Sequence, residues 1–356
     1  MKVLHLVDEP YDSGIVHYAL TLASGLLRRG HSVQVWGQEG KAPLEEARRL
    51  GLPTRGVPRG WPAFSPLRRA LRAGEADFLV AHTGSAHLLA VAAAAGLPGR
   101  VPVVRTRGDA RRLRRRPGGG LLWGRTSGFA AANASILEEQ RRLYGRPDLP
   151  ARVVYQGLSD PGPVRPPPEG DLTIGIVGRL DPVKGHAALL EAFRVLSSGF
   201  PRARCLIVGR DENLRAEDLR RLAAALGVAE RVELTGHVPD ALQAMRRCHI
   251  GVVSSLGSEA VSRAAVEWMA VGRPLVATKV GCLPEYLEDG VTGLLVPPGD
   301  PSRMGKALVS LAADGALRAR MGARGRERYE RMFTLERFLT ETERLYDAAF
   351  HAVPSR

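Results

Sequence analysis

The sequence has 356 residues, which is long enough for two domains of about 150 to 180 residues each. Hydrophobic residues make up 44% and charged residues 25%, a globular composition that excludes intrinsic disorder. Most of the net charge of +14 lies in residues 1–160, where 24 Lys and Arg stand against 13 Asp and Glu, and this asymmetry predicts an anionic partner for the first half.

The first half alternates strand and helix patterns. A strand over residues 3–7 leads into a loop at Ser13-Gly14, and a helical pattern with an apolar side follows from residue 16 to residue 29. Strand, helix, strand in this order predicts a parallel sheet covered on both faces. Further strand patterns cover residues 32–36, 78–81, 101–104 and 152–155.

A proline-rich segment, residues 161–170, separates the two halves and is predicted to be a linker. Beyond it, strands are predicted at residues 172–177, 204–208, 231–234, 250–253 and 274–277, helices at 187–197 and from Ser262, and only helices after Met304.

We therefore predict an α/β fold of two doubly wound, Rossmann-like domains, residues 1–160 and 171–333. We expect them to face a central cleft at the carboxyl ends of their sheets, where such folds bind ligands. A C-terminal helix, residues 334–356, is predicted to pack back on the first domain.

Residues 175–185 end a strand in glycines and carry Arg179 and Lys184 just before a helix. Glycine lets backbone approach a ligand closely, and two cations at the start of a helix suit a diphosphate. The segment is not a dinucleotide fingerprint, because its glycines lack the G-x-G-x-x-G spacing. Taken alone, a tight turn with surface cations explains it equally well.

Residues 254–272 follow a strand and open a helix, with Glu259 in the loop and Glu267 eight positions later in an apolar stretch. A carboxylate in such surroundings has to be paired or bound, because burying a lone charge is costly. Singly, Glu267 fits a structural ion pair and Glu259 fits a charge at a helix N-terminus. Neither explanation accounts for both carboxylates together with the phosphate-type loop.

This pattern resembles the E-x7-E signature of retaining glycosyltransferases of the GT-B type (glycosyl transferases group 1, family 4-like), and residues 154–157, 274–278 and 290–300 also match that family. The resemblance is most specific between residues 172 and 300. It implies two Rossmann-like domains and transfer of a hexose-type sugar, with retention, from a nucleotide diphosphate donor to a glycan or lipid-linked acceptor. It further implies a place in cell-envelope polysaccharide or lipopolysaccharide-type biosynthesis.

By that resemblance, Arg179 and Lys184 hold the donor diphosphate, Glu259 binds hydroxyls of the transferred sugar, and Glu267 binds the ribose. Arg179, Lys184 and Glu259 are accordingly the candidate catalytic residues. The other donor-binding positions that the resemblance implies are backbone or loop positions: Ser13, Gly14, Gly178, His237, Val238, Val261 and Ser262. Ser13 stands where many relatives have a glycine.

Relatives often carry a histidine after a strand of the first domain, in a run resembling R-T-R-H. Here residues 105–108 place Gly108 at that position, so a contact to the sugar or acceptor has to come from elsewhere. The candidates are His82, Arg107 and Asp109, and His82 fits a structural histidine at a strand end equally well.

No D-x-D pair occurs in the sequence, so the usual carboxylates for a donor-bound divalent metal are missing. Two cations can stabilise the leaving diphosphate instead, and we expect neither a metal nor another cofactor. One alternative is a nucleotide-sugar epimerase with the same fold, although no acid and base for it are identifiable. A glycogen-type phosphorylase would need a much longer chain. A basic nucleic-acid-binding protein is disfavoured by the aromatic content of only 5%.

Residues 105–116 contain seven arginines and are followed by Leu121-Leu122-Trp123. Cations beside exposed leucines and a ring are the components of an interfacial membrane anchor, whereas a charge run is more commonly a solvated loop. We expect a lipid-linked or phosphorylated acceptor, met at the inner face of the membrane. The residues predicted to meet that surface are Arg111, Arg112, Arg114, Arg115, Arg116 and Trp123.

The sequence also predicts a cytoplasmic protein. Its apolar start is too short for a signal peptide, and its longest apolar runs are shorter than the ~20 residues of a membrane helix. Cys205, Cys248 and Cys282 are not at metal-ligand spacing, so we expect buried or idle thiols in a reducing cytosol.

Overall fold

The computed structural model describes residues 1–11, 13–97, 101–109, 111–257 and 259–352. The chain divides into two compact units, the first formed by Met1–Gly157 with the chain from Leu335 onward and the second by Leu158–Thr334. The strands of the first unit are β1 (Lys2–Val7), β2 (Ser32–Gln38), β3 (Thr54–Val57), β4 (Phe78–Ala81), β5 (Val103–Arg107), β6 (Gly128–Ala131) and β7 (Ala151–Val153). Those of the second unit are β8 (Thr173–Val177), β9 (Arg204–Val208), β10 (Val232–Gly236), β11 (Ile250–Val253), β12 (Leu275–Thr278) and β13 (Gly293–Val296).

The α-helices are, in chain order, α1 (Gly14–Arg28), α2 (Ala42–Arg49), α3 (Phe64–Arg72), α4 (Gly84–Ala94), α5 (Gly119–Gly124), α6 (Ala134–Tyr144), α7 (His186–Gly199), α8 (Ala216–Ala225), α9 (Ala241–Arg246), α10 (Arg263–Ala270), α11 (Leu283–Tyr286), α12 (Pro301–Ala313), α13 (Gly315–Met332) and α14 (Leu335–His351). Strands and helices alternate through most of both units, as predicted.

The sheet of the first unit is parallel throughout, in the order β3-β2-β1-β4-β5-β6-β7. Its central strands β4 and β5 are buried along their whole length, and β1 is buried except at Lys2, because helices cover both faces of such a sheet. The strand order reverses between β1 and β4. The loops that leave the carboxyl ends of these two strands therefore diverge and leave room for a ligand.

The second unit repeats this arrangement with a parallel sheet in the order β10-β9-β8-β11-β12-β13, which reverses between β8 and β11. Gly175 on β8 pairs with Gly251 on β11, and a Cβ at Gly251 would overlap the indole of Trp268. The two glycines thus let α10 lie directly on the central strands. This close packing fixes where α10 begins, beside the carboxyl ends of β8 and β11.

The C-terminal helix α14 packs on the first unit, as expected. Tyr18 of α1 meets Phe338 edge-on at 4.8 Å between ring centroids, and Phe78 stacks on Tyr346 at 5.3 Å. Gly25 of α1 lies so close to Leu339 that a Cβ there would displace the leucine side chain. The last helix therefore completes the apolar core of the first unit.

Three strands were not predicted, namely β3, β6 and β13. Each has four residues and contains a glycine, so none offers the alternation or the β-branched run that signals a strand. The proline-rich segment predicted as a linker lies within the second unit. Its carbonyl groups at Pro161 and Arg165 accept hydrogen bonds from Arg246 at 2.6 Å and Arg273 at 2.9 Å.

Candidate functional site

The loop after β8 is a tightly determined turn. Asp181 caps it by accepting the N–H of Val183 at 2.9 Å, and Gly185 closes it with a φ of 71°. A Cβ at Gly185 would overlap the carbonyl oxygen of Ser254, which belongs to the loop after β11. Glycine is required at that position because the backbone conformation is left-handed and the two loops are in contact.

The loop after β11 is fixed from two sides. Ser254 donates to the carbonyl oxygen of Lys184 at 2.9 Å, which joins it to the β8 loop. On the other side, the carbonyl oxygen of Glu259 accepts the N–H of Cys282 at 2.7 Å. Gly281 has a φ of 56° and no room for a Cβ against that same carbonyl. The backbone of Glu259 is therefore held in place by the loop that follows β12.

Lys184 and Glu259 meet where these two loops adjoin. The Nζ of Lys184 lies 2.5 Å from Oε1 of Glu259, and the hydroxyl of Ser255 donates to the same oxygen at 2.5 Å. The side chain of Glu259 is 2% exposed, whereas that of Lys184 is 28% exposed. The result is a buried carboxylate covered by a cation that solvent can still reach, at the point where the strand order reverses.

Arg179 lies on the same loop as Lys184 and is more open. Its side chain is 43% exposed, and its Nε lies 3.4 Å from Oδ2 of Asp181. The ring of His186 donates from Nε2 to the carbonyl oxygen of Arg179 at 3.0 Å, and burial lowers the pKa of His186. A neutral imidazole thus holds the backbone while the guanidinium remains accessible to an anion.

Glu267 is buried on α10 and has a partner. Arg263 donates to its Oε1 at 3.1 Å, one helical turn away, with 9% of the Glu267 side chain and 47% of the Arg263 side chain exposed. The ion pair that its apolar surroundings require is therefore supplied by its own helix. Ser262 is the N-cap residue of α10, and Val261 precedes it.

The other predicted donor-binding positions each follow a strand of their own unit, near its carboxyl end. Gly178 follows β8, and its N–H donates to the carbonyl oxygen of Val208 at 2.9 Å. His237 is exposed and Val238 half-buried after β10, two strands away from β8. In the first unit, Ser13 caps α1 by accepting the N–H of Val16 at 3.4 Å, and Gly14 is the first residue of that helix.

His82 is fully buried in the first unit. Its Nε2 lies 3.0 Å from Nδ1 of His5, and its Nδ1 lies 2.7 Å from the hydroxyl of Thr106. Burial, reinforced by His5 and Arg105, lowers the pKa of His82 well below its ordinary value. Because no part of its side chain reaches solvent, His82 has the structural role and is not available to a sugar or an acceptor.

Arg107 and Asp109 lie in one ion-pair cluster. Arg107 is 5% exposed and donates to Glu139 at 3.0 Å, while its Nε lies 3.5 Å from Asp109. Asp109 has 24% of its side chain exposed. Of the three acceptor-side candidates, Asp109 is therefore the most accessible.

The arginine-rich segment is held against α6 by its backbone. Glu139 accepts the N–H of Leu113 at 2.8 Å, and the hydroxyl of Tyr144 accepts the N–H of Arg116 at 2.8 Å and donates to the carbonyl oxygen of Arg114 at 2.9 Å. The arginine residues that this backbone presents are all exposed: Arg111, Arg112, Arg114, Arg115 and Arg116. Within the described part of the chain, no helix combines the length and hydropathy needed to cross a membrane.

The expectation that Trp123 is exposed beside these arginines is wrong. Trp123 is 5% exposed and contacts the rings of His87, Phe129 and Tyr144 at 5.0, 5.3 and 5.8 Å. Leu121 is 65% exposed instead. Both residues lie on α5, and positions two apart on a helix point in nearly opposite directions. Trp123 therefore stabilises the core of the first unit.

The sequence did not point to three side chains that shape the loops around Arg179, Lys184 and Glu259, namely Ser255, Asp181 and Asn213. Ser255 and Asp181 lie inside the two motifs, but their hydrogen bonds depend on how the loops approach each other.

The three cysteines are buried free thiols, as expected. Among the residues that the structure describes, no group of three or more His, Cys, Asp or Glu side chains is arranged to hold a metal ion.

Two family models match the chain, glycosyl transferases group 1 over residues 171–314 and Glycosyltransferase Family 4 over residues 13–160. The phosphatidyl-myo-inositol mannosyltransferase of Mycobacterium leprae is 34% identical over 187 residues, which cover 52% of this chain and 49% of that protein. The D-inositol 3-phosphate glycosyltransferase of Corynebacterium efficiens is 35% identical over 181 residues, which cover 49% of this chain and 42% of that protein. The chain therefore matches about half the length of these curated relatives or less.

Among solved structures, Anabaena HepE in complex with UDP superposes with a TM-score of 0.83 at 20% identity, over 98% of this chain and 100% of that chain. A glycosyltransferase from Rickettsia africae superposes with a TM-score of 0.84 at 16% identity, over 98% of each chain. At these identities the likeness concerns the fold, and it confirms the predicted fold class.

Proposed function

Because the chain belongs to the glycosyltransferases, with the family 4 model over its first half and the group 1 model over its second, we propose that it transfers a hexose-type sugar from a nucleoside diphosphate donor. The observation that carries this proposal is the pair formed by Lys184 and Glu259 at the strand-order reversal of the second unit. A cation for the diphosphate and a carboxylate for sugar hydroxyls are adjacent there. Both are presented by loops whose backbones are fixed.

Binding of the donor would replace the contact between Lys184 and Glu259. The Lys184 ammonium then pairs with a diphosphate oxygen, and the Glu259 carboxylate becomes free to accept hydrogen bonds from hydroxyl groups of the sugar. Arg179, whose guanidinium is accessible, adds a second cation on the same loop. Together they stabilise the negative charge that develops on the leaving oxygens as the sugar becomes oxocarbenium-like.

In the proposed reaction the bond between the anomeric carbon and the diphosphate oxygen breaks, and a bond to an acceptor hydroxyl oxygen forms. The acceptor proton passes to the leaving diphosphate, which the two cations hold beside the reacting carbon. We propose retention of configuration, a glycan or lipid-linked acceptor, and a role in cell-envelope polysaccharide or lipopolysaccharide-type synthesis. The curated relatives support a phosphate-bearing or lipid-linked acceptor, since their names specify inositol 3-phosphate and phosphatidylinositol.

The test is hydrolysis of a panel of UDP-, GDP- and ADP-sugars without acceptor. The quantity measured is the nucleoside diphosphate that is released. We expect slow turnover of one base and sugar in preference to the others. The Glu259→Gln variant should lose this preference for the sugar, whereas Lys306→Ala, which changes an exposed lysine on α12, should match the parent protein. Failure to bind or hydrolyse any member of the panel would overturn the proposal.

We further propose that no divalent metal takes part, because the sequence lacks a D-x-D pair and supplies two cations at the diphosphate loop. Turnover with the preferred donor should be the same in excess chelator as in added Mg²⁺ or Mn²⁺. Both conditions are measured at equal ionic strength, since salt also screens the cations. Complete loss of turnover in chelator would contradict the leaving-group role given to Arg179 and Lys184.

The exposed arginines of residues 111–116, in the segment that is held against α6, support a peripheral location at the inner, anionic face of the membrane. Each cation near such a leaflet contributes ~1 kcal/mol, so three or four arginines would hold the protein reversibly. We expect flotation with vesicles to increase with anionic lipid content and to disappear at high salt. Neutralising Arg111, Arg112, Arg114, Arg115 and Arg116 should abolish it.

The matched control for vesicle binding removes five arginines of the second unit whose side chains are more than half exposed: Arg202, Arg220, Arg221, Arg303 and Arg324. Both variants lose the same net charge. If both lose flotation equally, the binding is a bulk charge effect. If the parent protein stays in the soluble fraction at low salt, the segment is a solvated loop.

A further inference from the structure

We propose that Asp181 and Asn213 are positioning residues that set the orientation of the Arg179 guanidinium for a nucleoside diphosphate. This inference rests on the proposed function, since it assigns Arg179 to the diphosphate. Neither Asp181 nor Asn213 belongs to the signature by which the site was found. Both act through Arg179 and need not touch the ligand.

Asp181 divides its carboxylate between two tasks. Its Oδ1 accepts the N–H of Val183 and thereby caps the turn that carries Lys184. Its Oδ2 faces Nε of Arg179 at 3.4 Å and accepts the amide of Asn213 at 2.8 Å. The residue is 6% exposed, so water competes little for these contacts.

Asp181 remains ionised in this setting. Burial alone raises the pKa of Asp181, but the hydrogen bonds from Val183 and Asn213 and the charges of Arg179 and Lys184 outweigh it, and the net effect is a lowered pKa. Because its pKa is lowered, the carboxylate keeps its charge, and so attracts the guanidinium, down to a lower pH than an unperturbed aspartate would.

Asn213 belongs to the loop after β9, and backbone hydrogen bonds join that loop to the Arg179 loop. Leu180 donates to the carbonyl oxygen of Arg210 at 2.8 Å and accepts the N–H of Leu214 at 3.1 Å. A Cβ at Gly209 would overlap the carbonyl oxygen of Gly178, so the two loops approach as closely as backbone allows. Asn213 is thereby held beside Asp181 by the fold.

Asp181 and Asn213 act on Arg179 in opposite ways: Asp181 attracts its guanidinium, and Asn213 limits that attraction. Asp181 faces the guanidinium at Nε, and within the described residues the two terminal nitrogens of Arg179 have no partner. Those nitrogens form the planar fork that suits phosphate oxygens. Asn213 occupies Oδ2 of Asp181 and so prevents a closer, bidentate pair that would take the fork away from a ligand.

The experiment measures dissociation constants for UDP, GDP and ADP by calorimetry in Asp181→Asn and Asn213→Ala, each alone and combined with Arg179→Ala. Asp181→Asn keeps an acceptor that can cap the turn but loses the charge, so binding should weaken about fivefold to tenfold. Asn213→Ala should weaken it about threefold, because Asp181 then competes with the diphosphate for Arg179.

The decisive result is the energetic coupling of Asp181 and of Asn213 to Arg179. In the Arg179→Ala background, Asp181→Asn and Asn213→Ala should each change the dissociation constant less than twofold, because the side chain through which they act is gone. The control is Asp314→Asn, which changes the carboxylate that caps α13 by accepting the N–H of Leu317 at 2.8 Å. It should leave nucleotide binding unchanged.

Two failures are distinguishable. If the parent protein binds none of the three nucleotides, the proposed function fails. If the parent protein binds one of them, but Asp181→Asn weakens binding by the same factor with and without Arg179, then Asp181 acts only through general loop structure and the inference is overturned.

Discussion

Replacing Lys184 with Ala is expected to lower sugar-transfer turnover about 100-fold or more in a protein that still folds. The physical reason is the loss of a cation that stabilises the leaving diphosphate in the transition state. The measurement is kcat with the preferred donor, taken alongside thermal melting. Lys306→Ala removes an exposed lysine from the same unit and should change neither quantity.

The same change should also lower stability, for a separate reason. The Glu259 carboxylate is 2% exposed with Lys184 in place, and once Lys184 is removed its Oε1 keeps, among the described residues, only the Ser255 hydroxyl as a partner. An undercompensated buried acceptor costs about 1 to 3 kcal/mol, and the partial exposure of Lys184 places the loss at the low end.

The double variant Lys184→Ala with Glu259→Gln separates the two effects. It removes the buried charge together with its partner, so the melting temperature should recover while turnover stays low. Turnover within about threefold of the parent value in a folded Lys184→Ala protein would remove Lys184 from the site.

The fold was predictable because buried parallel strands leave a strong signal. β4 and β11 are apolar throughout, and β1 and β9 are apolar apart from Lys2, His5 and Arg204. Helices such as α1 and α4 begin at side-chain caps, Ser13 and Thr83. The edge strand β3 was not predictable, since a half-buried strand of four residues has no such run. The boundary near the proline-rich segment depends on tertiary hydrogen bonds from Arg246 and Arg273, which composition does not reveal.

The candidate site was predicted from the sequence as a set of residues, and the structure adds their arrangement. Arg179, Lys184 and Glu259 stood out by type and spacing, but the contact between Lys184 and Glu259 joins residues 75 positions apart. Asp181 and Asn213 gave no signal because their role follows from two loops that approach at Gly178 and Gly209. Trp123 was wrongly predicted to be exposed because the neighbouring arginines and leucines suggested a surface. The side of α5 on which Trp123 lies is not evident from that pattern.

Acid should destabilise the first unit strongly, because three of its histidines are buried. Burial lowers the pKa of His5 and of His87 from 6.5 to about 3 and lowers the pKa of His82 well below its ordinary value. Between about pH 3 and pH 6.5 the unfolded chain therefore binds protons that the folded chain does not. The free energy of unfolding then falls as the pH falls, and the contribution is intact above pH 6.5.

The stability lost at a given pH follows from how far that pH lies below the pKa of the unfolded chain. Near pH 5, about 1.5 units below the unfolded pKa, each such histidine lowers the free energy of unfolding by about 2 kcal/mol. His5 and His87 together give about 4 kcal/mol, a large part of the ~5 to 15 kcal/mol that stabilises a typical domain. Chemical denaturation near pH 7.5 and near pH 5 measures this difference.

His87→Gln isolates one histidine. The hydroxyl of Thr126 lies 2.8 Å from the His87 ring, and glutamine retains a polar group for it. The substitution loses the ring contact with Trp123 and so lowers stability at both pH values, which makes the difference between the two the informative quantity. That difference should shrink by about 2 kcal/mol, whereas His351→Gln, at an exposed residue, should leave it unchanged. An undiminished difference in His87→Gln would mean that His87 gains its proton without unfolding.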